Sequence, residues 1–493
     1  MGADCERENL LNSLLNRAYE NRSSRWQKTT QEIPYLILLV FLTVSMCLPL
    51  LTKYPAPGGD EPGFVDPAVT LLTKGYIGTE VYHGLLPTME HHVYWVPPLY
   101  FVLLAGWFRL FGIGLVQARS FSVLCASIIV LWVYLLSRRR AQKTQALAAA
   151  TLCAVSFWLI DRACFARMDT LCVALTLASI FMYQNANDRS KLELYALSGL
   201  LAGLALLTHP LGIIAIIILL LHLLLTHKKE ILLRREFYFV VICFICCVAV
   251  WTCYILQDYA AFHVQMQAQL ERKQSAWSYW YQFKMAKTHV ITLLVVIMAG
   301  LWLILRGWRT SQSGLIAISV VVAFGAATYG HEAGYFLYFY PFACVALSIA
   351  LSQVHRFRAL VYVGLLFAFM NESIIFVHDF RRYHTRDYTS LSQTIRAAIP
   401  PGESVFIGFS DVSPYFALLG RNPMRVAIPV PLPDPYASGK IAQQCNFIVD
   451  SLPDPYLPDV NKLLESRRPL VQIDQGTGYR ISVFGQQSNI KNK

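Results

Sequence analysis

An aspartate and a glutamate follow two glycines in the stretch "GGDEPGFVDPAVTLLTKGYIG", placing Asp60 and Glu61 on a turn just beyond the first long apolar segment. A carboxylate presented at a surface in this way can take a proton from a hydroxyl, provided that it is accessible and within reach. Asp60 can equally be read as a helix N-cap ahead of Pro62. A third carboxylate, Asp169 in "DRACFARMDTLCVALTL", falls near the end of an apolar helix beside Arg162 and Arg167. Ionisable groups at membrane depth are costly and usually functional, although an ion pair with either arginine would also account for it. His209 in "LLTHPLG" and His331 in "YGHEAGYFLYFYP" complete the set. Cationic groups at such positions could hold a lipid phosphate through charge-assisted hydrogen bonds. A lone histidine beside Pro210 is nonetheless more often a packing residue.

These side chains must be positioned by membrane-spanning helices. Of 493 residues, 55% are hydrophobic and only 15% are charged, and several apolar stretches approach the 20 or so residues that a span needs. Apolar segments fall near 34–52, 118–136, 145–160, 166–183, 194–209, 211–225, 238–256, 289–305, 313–329, 334–351 and 359–377, about eleven in all. With the polar N-terminal segment 1–33 in the cytoplasm, the connections predicted to be cytoplasmic carry Arg138, Arg139, Arg140 and Lys143; Arg189 and Lys191; Lys228, Lys229, Arg234 and Arg235; Arg306 and Arg309; and Arg356 and Arg358. Each is basic, as the positive-inside rule expects. The net charge of +12 is therefore read as topology rather than as a nucleic-acid surface.

The segment 97–112, "PPLYFVLLAGWFRLFG", is apolar but short, opens with two prolines and carries Arg109. Counting it as a span would put the Arg138–Arg140 cluster outside. Residues 53–117 thus read as one long external loop with helices at the interface. A second external loop, 257–289, holds Trp277, Tyr279, Trp280 and Tyr281, with Arg272, Lys273, Lys284 and Lys287 as groups that could serve an anionic ligand. Segment 34–378 forms the transmembrane domain. From 379 to 493 Pro-rich turns and short β-branched runs such as "SVFIGF" and "YRISVFG" predict a small α/β domain, which an odd number of spans places outside.

Most of the twelve cysteines lie in apolar segments, where they behave as small hydrophobes. Cys243, Cys246 and Cys247 have helical spacing but no accompanying His or carboxylate, which argues against a metal. No motif requires a cofactor, and a divalent metal is left open. Neither a nucleotide-sugar site nor a Gly-rich phosphate loop is evident.

The ordered series "GDEPGFVDPAVTLLTKG", "VPPLYFVLLAGWFRLFG", "QARSFSVLCASIIVLWVYLLSRRR", "FARMDTLCVALTL" and "GLLAGLALLTHPLG" resembles the C-type (GT-C) glycosyltransferases, specifically the group around the protein O-mannosyltransferases and the aminoarabinose lipid A transferases (glycosyltransferase 39-like). The resemblance runs over residues 34–225, and "YFLYFYP" is similar to the family's late external motif. It implies an acidic residue acting at the acceptor, matching Asp60 with Glu61 as its neighbour, and a further site aspartate, matching Asp169. It also matches the family's arginine at the top of the second span to Arg119 and a family lysine position to His209; with Arg167 and His331 these are the donor-phosphate candidates. His209 stands where the family commonly has lysine. Trp95 and Val96 precede the Pro-Pro pair where some members carry an acidic residue, so Glu90, His91 and His92 are the acceptor-loop candidates.

The activity implied is inverting transfer of a sugar from a polyprenyl-phosphate carrier to a hydroxyl of a glycan, lipid or protein. The expected location is a bacterial inner membrane, with the site facing the periplasm. A transporter or flippase for a lipid-linked glycan is the alternative, although no internal repeat accompanies it and the acidic residues gather at one face.

Overall fold

The computed structural model describes residues 31–55, 57, 60–82, 88–275, 289–306, 311–329, 333–353, 358–384, 388–408, 413–419, 426–427, 440, 442–450, 458–465, 467–474 and 480–485. The N-terminal residues 1–30, Trp277, Tyr279, Trp280, Tyr281, Lys284, Lys287, Arg309, His331 and Arg356 lie outside them, as do the side chains of Arg272 and Lys273.

The chain is mostly helical. Helix α1 (Gln31–Leu50) is followed by α2 (Asp60–Lys74) and α3 (Leu99–Phe111), which pack on each other within the first loop. Next come α4 (Leu115–Arg138), α5 (Lys143–Val155), α6 (Phe157–Ala163), α7 (Asp169–Arg189), α8 (Leu192–Thr208), α9 (Ile213–His227), α10 (Arg235–Ile255), α11 (Tyr259–Ser275), α12 (Val290–Arg306), α13 (Ser311–Tyr329), α14 (Phe336–Gln353) and α15 (Arg358–Tyr383). Among the described residues six helices are long and apolar enough to cross a membrane, or up to seven if the bent pair α5–α6 is one span. Helices α8, α12 and α13 are apolar but shorter.

Burial sorts these helices into layers. The apolar window of α14 is 89% buried and that of α4 67%, whereas α10 is 11% buried. Hence α14 and α4 form the centre, and α10 shows its Ile242, Ile245 and Val250 outward, as a lipid-facing helix must.

Two local features fix the site's framework. At Ser156 the α5–α6 pair bends by 53°. Ser156 is extended, its Oγ accepts from the Leu159 N–H, and the Phe157 N–H donates to Glu372 Oε2 of α15 at 2.8 Å. The other oxygen, Oε1, lies 3.1 Å from Nδ1 of His289, whose ring stacks on Phe157. A buried carboxylate thus takes up one of the amides that a helix start leaves without a partner. Meanwhile α8 and α10 approach closely at Gly199 and Gly203, where a Cβ would lie 2.1 Å from the Val240 carbonyl oxygen and 2.6 Å from Cys247 Cβ. This is the small-xxx-small spacing that lets membrane helices meet backbone to backbone.

Beyond α15, α16 (Tyr388–Ala398), α17 (Ser413–Leu418) and α18 (Pro458–Glu465) accompany β1 (Val405–Ile407), β2 (Val426–Ala427), β3 (Phe447–Asp450), β4 (Val471–Asp474) and β5 (Arg480–Gly485). Among the described residues the strands form one mixed sheet, in the order β2-β1-β3-β5-β4. The β1–β2 and β1–β3 pairs are parallel, whereas β5 runs antiparallel to β3 and β4. One face of this sheet shares a hydrophobic core with the first loop, where Leu391, Ile395, Val405 and Phe416 join Val65, Phe101 and Phe108.

Candidate active site

Helix α2 begins at Asp60, so the carboxylates of Asp60 and Glu61 stand in its first turn, where the exposed N–H groups of a helix favour negative charge. Pro62 is tolerated there because the amide it lacks would have no intrahelical acceptor. Gly63 lets the Tyr82 ring come close, since a Cβ would lie 2.3 Å from its hydroxyl and displace it.

The two neighbouring carboxylates point to different partners. Glu61 is fully buried and forms a bidentate pair with Arg119 of α4, Nε to Oε1 at 2.9 Å and Nη2 to Oε2 at 2.7 Å. Arg119 also donates to the carbonyls of Leu51 and Pro55, and the Ala166 N–H reaches Glu61 Oε1 at 2.8 Å. Arg119 is wholly enclosed, with Nε and both terminal nitrogens hydrogen-bonded. Its guanidinium therefore ties α1's end, α2 and the turn before α7 into one joint, and it does not face an open surface.

Asp60 instead turns towards Arg167, with Oδ2 2.7 Å from Nη1. Its side chain is 38% exposed, and among the described residues Oδ1 has no hydrogen-bond partner. Arg167 sits over the Phe64 ring and uses Nε to hold Asp169 Oδ2 at 2.9 Å. Asp169 is buried at the start of α7 and accepts from the Tyr338 hydroxyl of α14 at 3.2 Å. One guanidinium thus holds two carboxylates from separate parts of the chain, a task suited to the fixed fork of arginine and not to a lysine ammonium. Of the two sequence readings of Asp169, the ion pair is present, and it is the same contact that brings Asp169 to Asp60.

His209 closes the inner side. The residue before a proline is driven out of the helical region, so α8 stops at Thr208 and His209 is extended (φ −151°, ψ 141°). Its Nδ1 accepts from the Leu211 N–H at 3.0 Å, which leaves the proton on Nε2, and its ring packs against Tyr335 and Tyr338. Arg162 lies nearby: it pairs with Asp161 at 3.0 Å, and its guanidinium rests against Gly334, where a Cβ would sit 2.3 Å from Cζ.

Glu90, His91 and His92 sit farther along the first loop, away from this cluster's hydrogen bonds. His91 is exposed and meets the Tyr76 ring, while His92 stacks on Tyr94. Gln265 of α11 clamps the segment, donating to the His92 carbonyl and accepting from the Tyr94 N–H. Among the described residues no group of three or more His, Cys, Asp or Glu is gathered to hold a metal ion. Sequence reasoning did not single out Tyr338, Gly334 or Asp66. The first two lie in and beside the "YFLYFYP" motif, and Asp66 follows Asp60 by six residues in the same quoted stretch.

Residues 95–254 match the family model described as dolichyl-phosphate-mannose-protein mannosyltransferase. That range includes Arg119, Arg167, Asp169 and His209 and stops short of Asp60. A search of curated proteins by sequence finds no match. Among solved structures, ArnT from Cupriavidus metallidurans in the apo state is similar at 14% identity and a TM-score of 0.64, over 93% of this chain and 98% of that one. The same protein bound to undecaprenyl phosphate gives 14% and 0.63, over 92% and 98%. The archaeal oligosaccharyltransferase AglB from Archaeoglobus fulgidus, in complex with an inhibitory peptide and a dolichol-phosphate, gives 13% and 0.55, over 94% and 75%. At these identities the likeness is one of fold. The chain has the fold of the GT-C glycosyltransferases and is similar to protein O-mannosyltransferases and ArnT, as the sequence resemblance implied.

Proposed function

We propose that this chain is an inverting glycosyltransferase that moves a sugar from a polyprenyl-phosphate donor to a hydroxyl acceptor at the outer face of a bacterial inner membrane. The observation that carries this reading is the sharing of Arg167 by Asp60 and Asp169. It sets a half-buried carboxylate beside a buried charge network at the end of a helical bundle. Similarity to a protein solved with undecaprenyl phosphate supports a prenyl carrier as the donor's lipid.

In the proposed reaction the acceptor oxygen attacks the anomeric carbon, and the bond from that carbon to the phosphate oxygen breaks. The phosphate leaves with the electron pair, and the acceptor proton passes to Asp60 Oδ1. Arg167, already in contact with Asp60, holds that carboxylate in line, and Asp169 with Tyr338 fixes Arg167 from behind. Arg162 and His209, with Arg167 and His331, supply positive charge and N–H donors for the phosphate that departs. Glu61 and Arg119 act as the buried brace that sets the turn. Glu90, His91 and His92 face the acceptor. The sugar and the chemical class of the acceptor (glycan, lipid or protein) are the variables that this machinery leaves to the loops.

Substituting Asp60 by Asn and measuring transfer from a radiolabelled polyprenyl-phosphate sugar in vesicles tests the assignment. A loss of about 10²–10⁴-fold is expected for a general base. Unimpaired transfer would remove Asp60 from this role, and translocation of the donor without transfer would favour a flippase.

A further inference from the structure

The α/β unit after α15 makes a specific polar contact with the helix that presents Asp60. Tyr415 of α17 donates its hydroxyl to Asp66 Oδ1 at 3.0 Å. The second oxygen of Asp66 accepts from Thr79 Oγ1 at 2.9 Å, the Glu80 N–H at 2.8 Å and the Val81 N–H at 3.4 Å. Asp66 therefore joins three pieces: the middle of α2, the turn that follows it, and the α/β unit. Tyr415 is buried, and its neighbours Phe416 and Leu418 are packed into the core that the sheet shares with the first loop.

Along a helix, six residues correspond to about 120° the short way round. Asp66 thus leaves α2 on a different face from Asp60. The helix touches Arg167 on one side and Tyr415 on another, so a rotation about its axis cannot satisfy one contact without straining the other.

We propose that Tyr415 is a positioning residue for the transfer reaction: through Asp66 the α/β unit fixes the rotation of α2 and so the placement of Asp60. This makes the unit part of the catalytic apparatus, and it rests on the transferase reading given above. Two charge-assisted ties held by one rigid helix are what preorganisation of a base requires.

The test uses the full chain in nanodiscs with Tyr415→Phe, which removes only the hydroxyl. Amide hydrogen exchange across 60–74 is expected to rise at least fivefold while exchange in the sheet strands stays as in the wild type. The kcat for transfer, taken per mole of folded enzyme, is expected to fall at least threefold with the donor KM unchanged, and wild-type protection of the sheet strands excludes general loss of folded protein as the cause. Unchanged exchange in α2, or an unchanged kcat, overturns the proposal. Should the sheet itself lose protection, Asp66→Asn reads the same contact from the helix side: a smaller but selective loosening of α2 supports the proposal, and none overturns it. If the wild type shows no transfer at all, the enzymatic reading fails, and the exchange data still decide whether Tyr415 holds α2.

Discussion

Asp60 and Arg167 meet at 2.7 Å although 107 residues separate them in the chain. The contact joins the first external loop to the turn before α7, and it brings the exposed Asp60 within one side chain of the buried Asp169. Its consequences can be measured.

Replacing Arg167 by Lys should abolish the double contact, because a single ammonium cannot reach both carboxylates along two directions. Transfer is expected to drop at least tenfold with folded yield kept. Activity equal to the wild type in the vesicle assay would show that the fork geometry is dispensable.

The Glu61–Arg119 pair should behave differently. Both members are fully buried, so removing one leaves the other charge uncompensated, at a cost of about 3–5 kcal/mol. Arg119→Met is expected to lower the unfolding temperature in detergent, and the double change Glu61→Gln with Arg119→Met to recover part of it. A single variant as stable as the wild type would contradict the joint role assigned to Arg119.

Gly334→Ala places a methyl group against the Arg162 guanidinium, the movable end of a long side chain. The fold should survive while the guanidinium is displaced, so the donor KM is expected to rise severalfold with little change in the melting temperature. An unaltered KM would detach Arg162 from the donor.

The legibility of these features in the sequence was uneven. Each predicted apolar segment falls on helix because hydrophobic length survives in sequence, although 145–160 is divided between α5 and α6; Asp169 stands out because charge is conspicuous in apolar surroundings, and Asp60 because it follows a glycine turn. What was not legible was partnership. Nothing in the linear order distinguishes Asp60 from Glu61, yet one is turned to Arg167 and the other to Arg119. Tyr338 carries no charge, so its hydroxyl on Asp169 could be found only in three dimensions. The break at Ser156 was read as one continuous segment, since Glu372, which takes up the freed amide, is far away in the chain.

Asp66 gives a pH prediction. Burial raises its carboxyl above the ordinary value of 3.8, against the pull of the Thr79, Tyr415, Glu80 and Val81 hydrogen bonds. The folded state therefore binds the proton more readily than the unfolded one, and stability contributed by this group falls as pH rises through the folded value. Thermal melts of the wild type should improve modestly as pH is lowered from neutral through that value. Asp66→Asn should lose this increment, and an identical slope in both proteins would exclude Asp66 as its source.

Glu372 should matter for the bend at Ser156. Glu372→Ala strips an acceptor from the Phe157 amide and a partner from His289, with an expected loss of about 1–3 kcal/mol for the orphaned amide. Glu372→Gln, which retains an acceptor oxygen, should be milder. Equal effects of the two would show that the hydrogen bond to Phe157 contributes little.

Gly199 and Gly203 bring α8 against α10 with no side chain of their own in the seam, and His209 stands at the very tip of α8. The depth at which that imidazole stops is accordingly gauged by two absent methyl groups, about two and about three helical turns lower. Thickening the seam at either glycine would push α8 off its neighbour and carry His209 away from Tyr338, so a residue that never meets a ligand could still detune the rim above it.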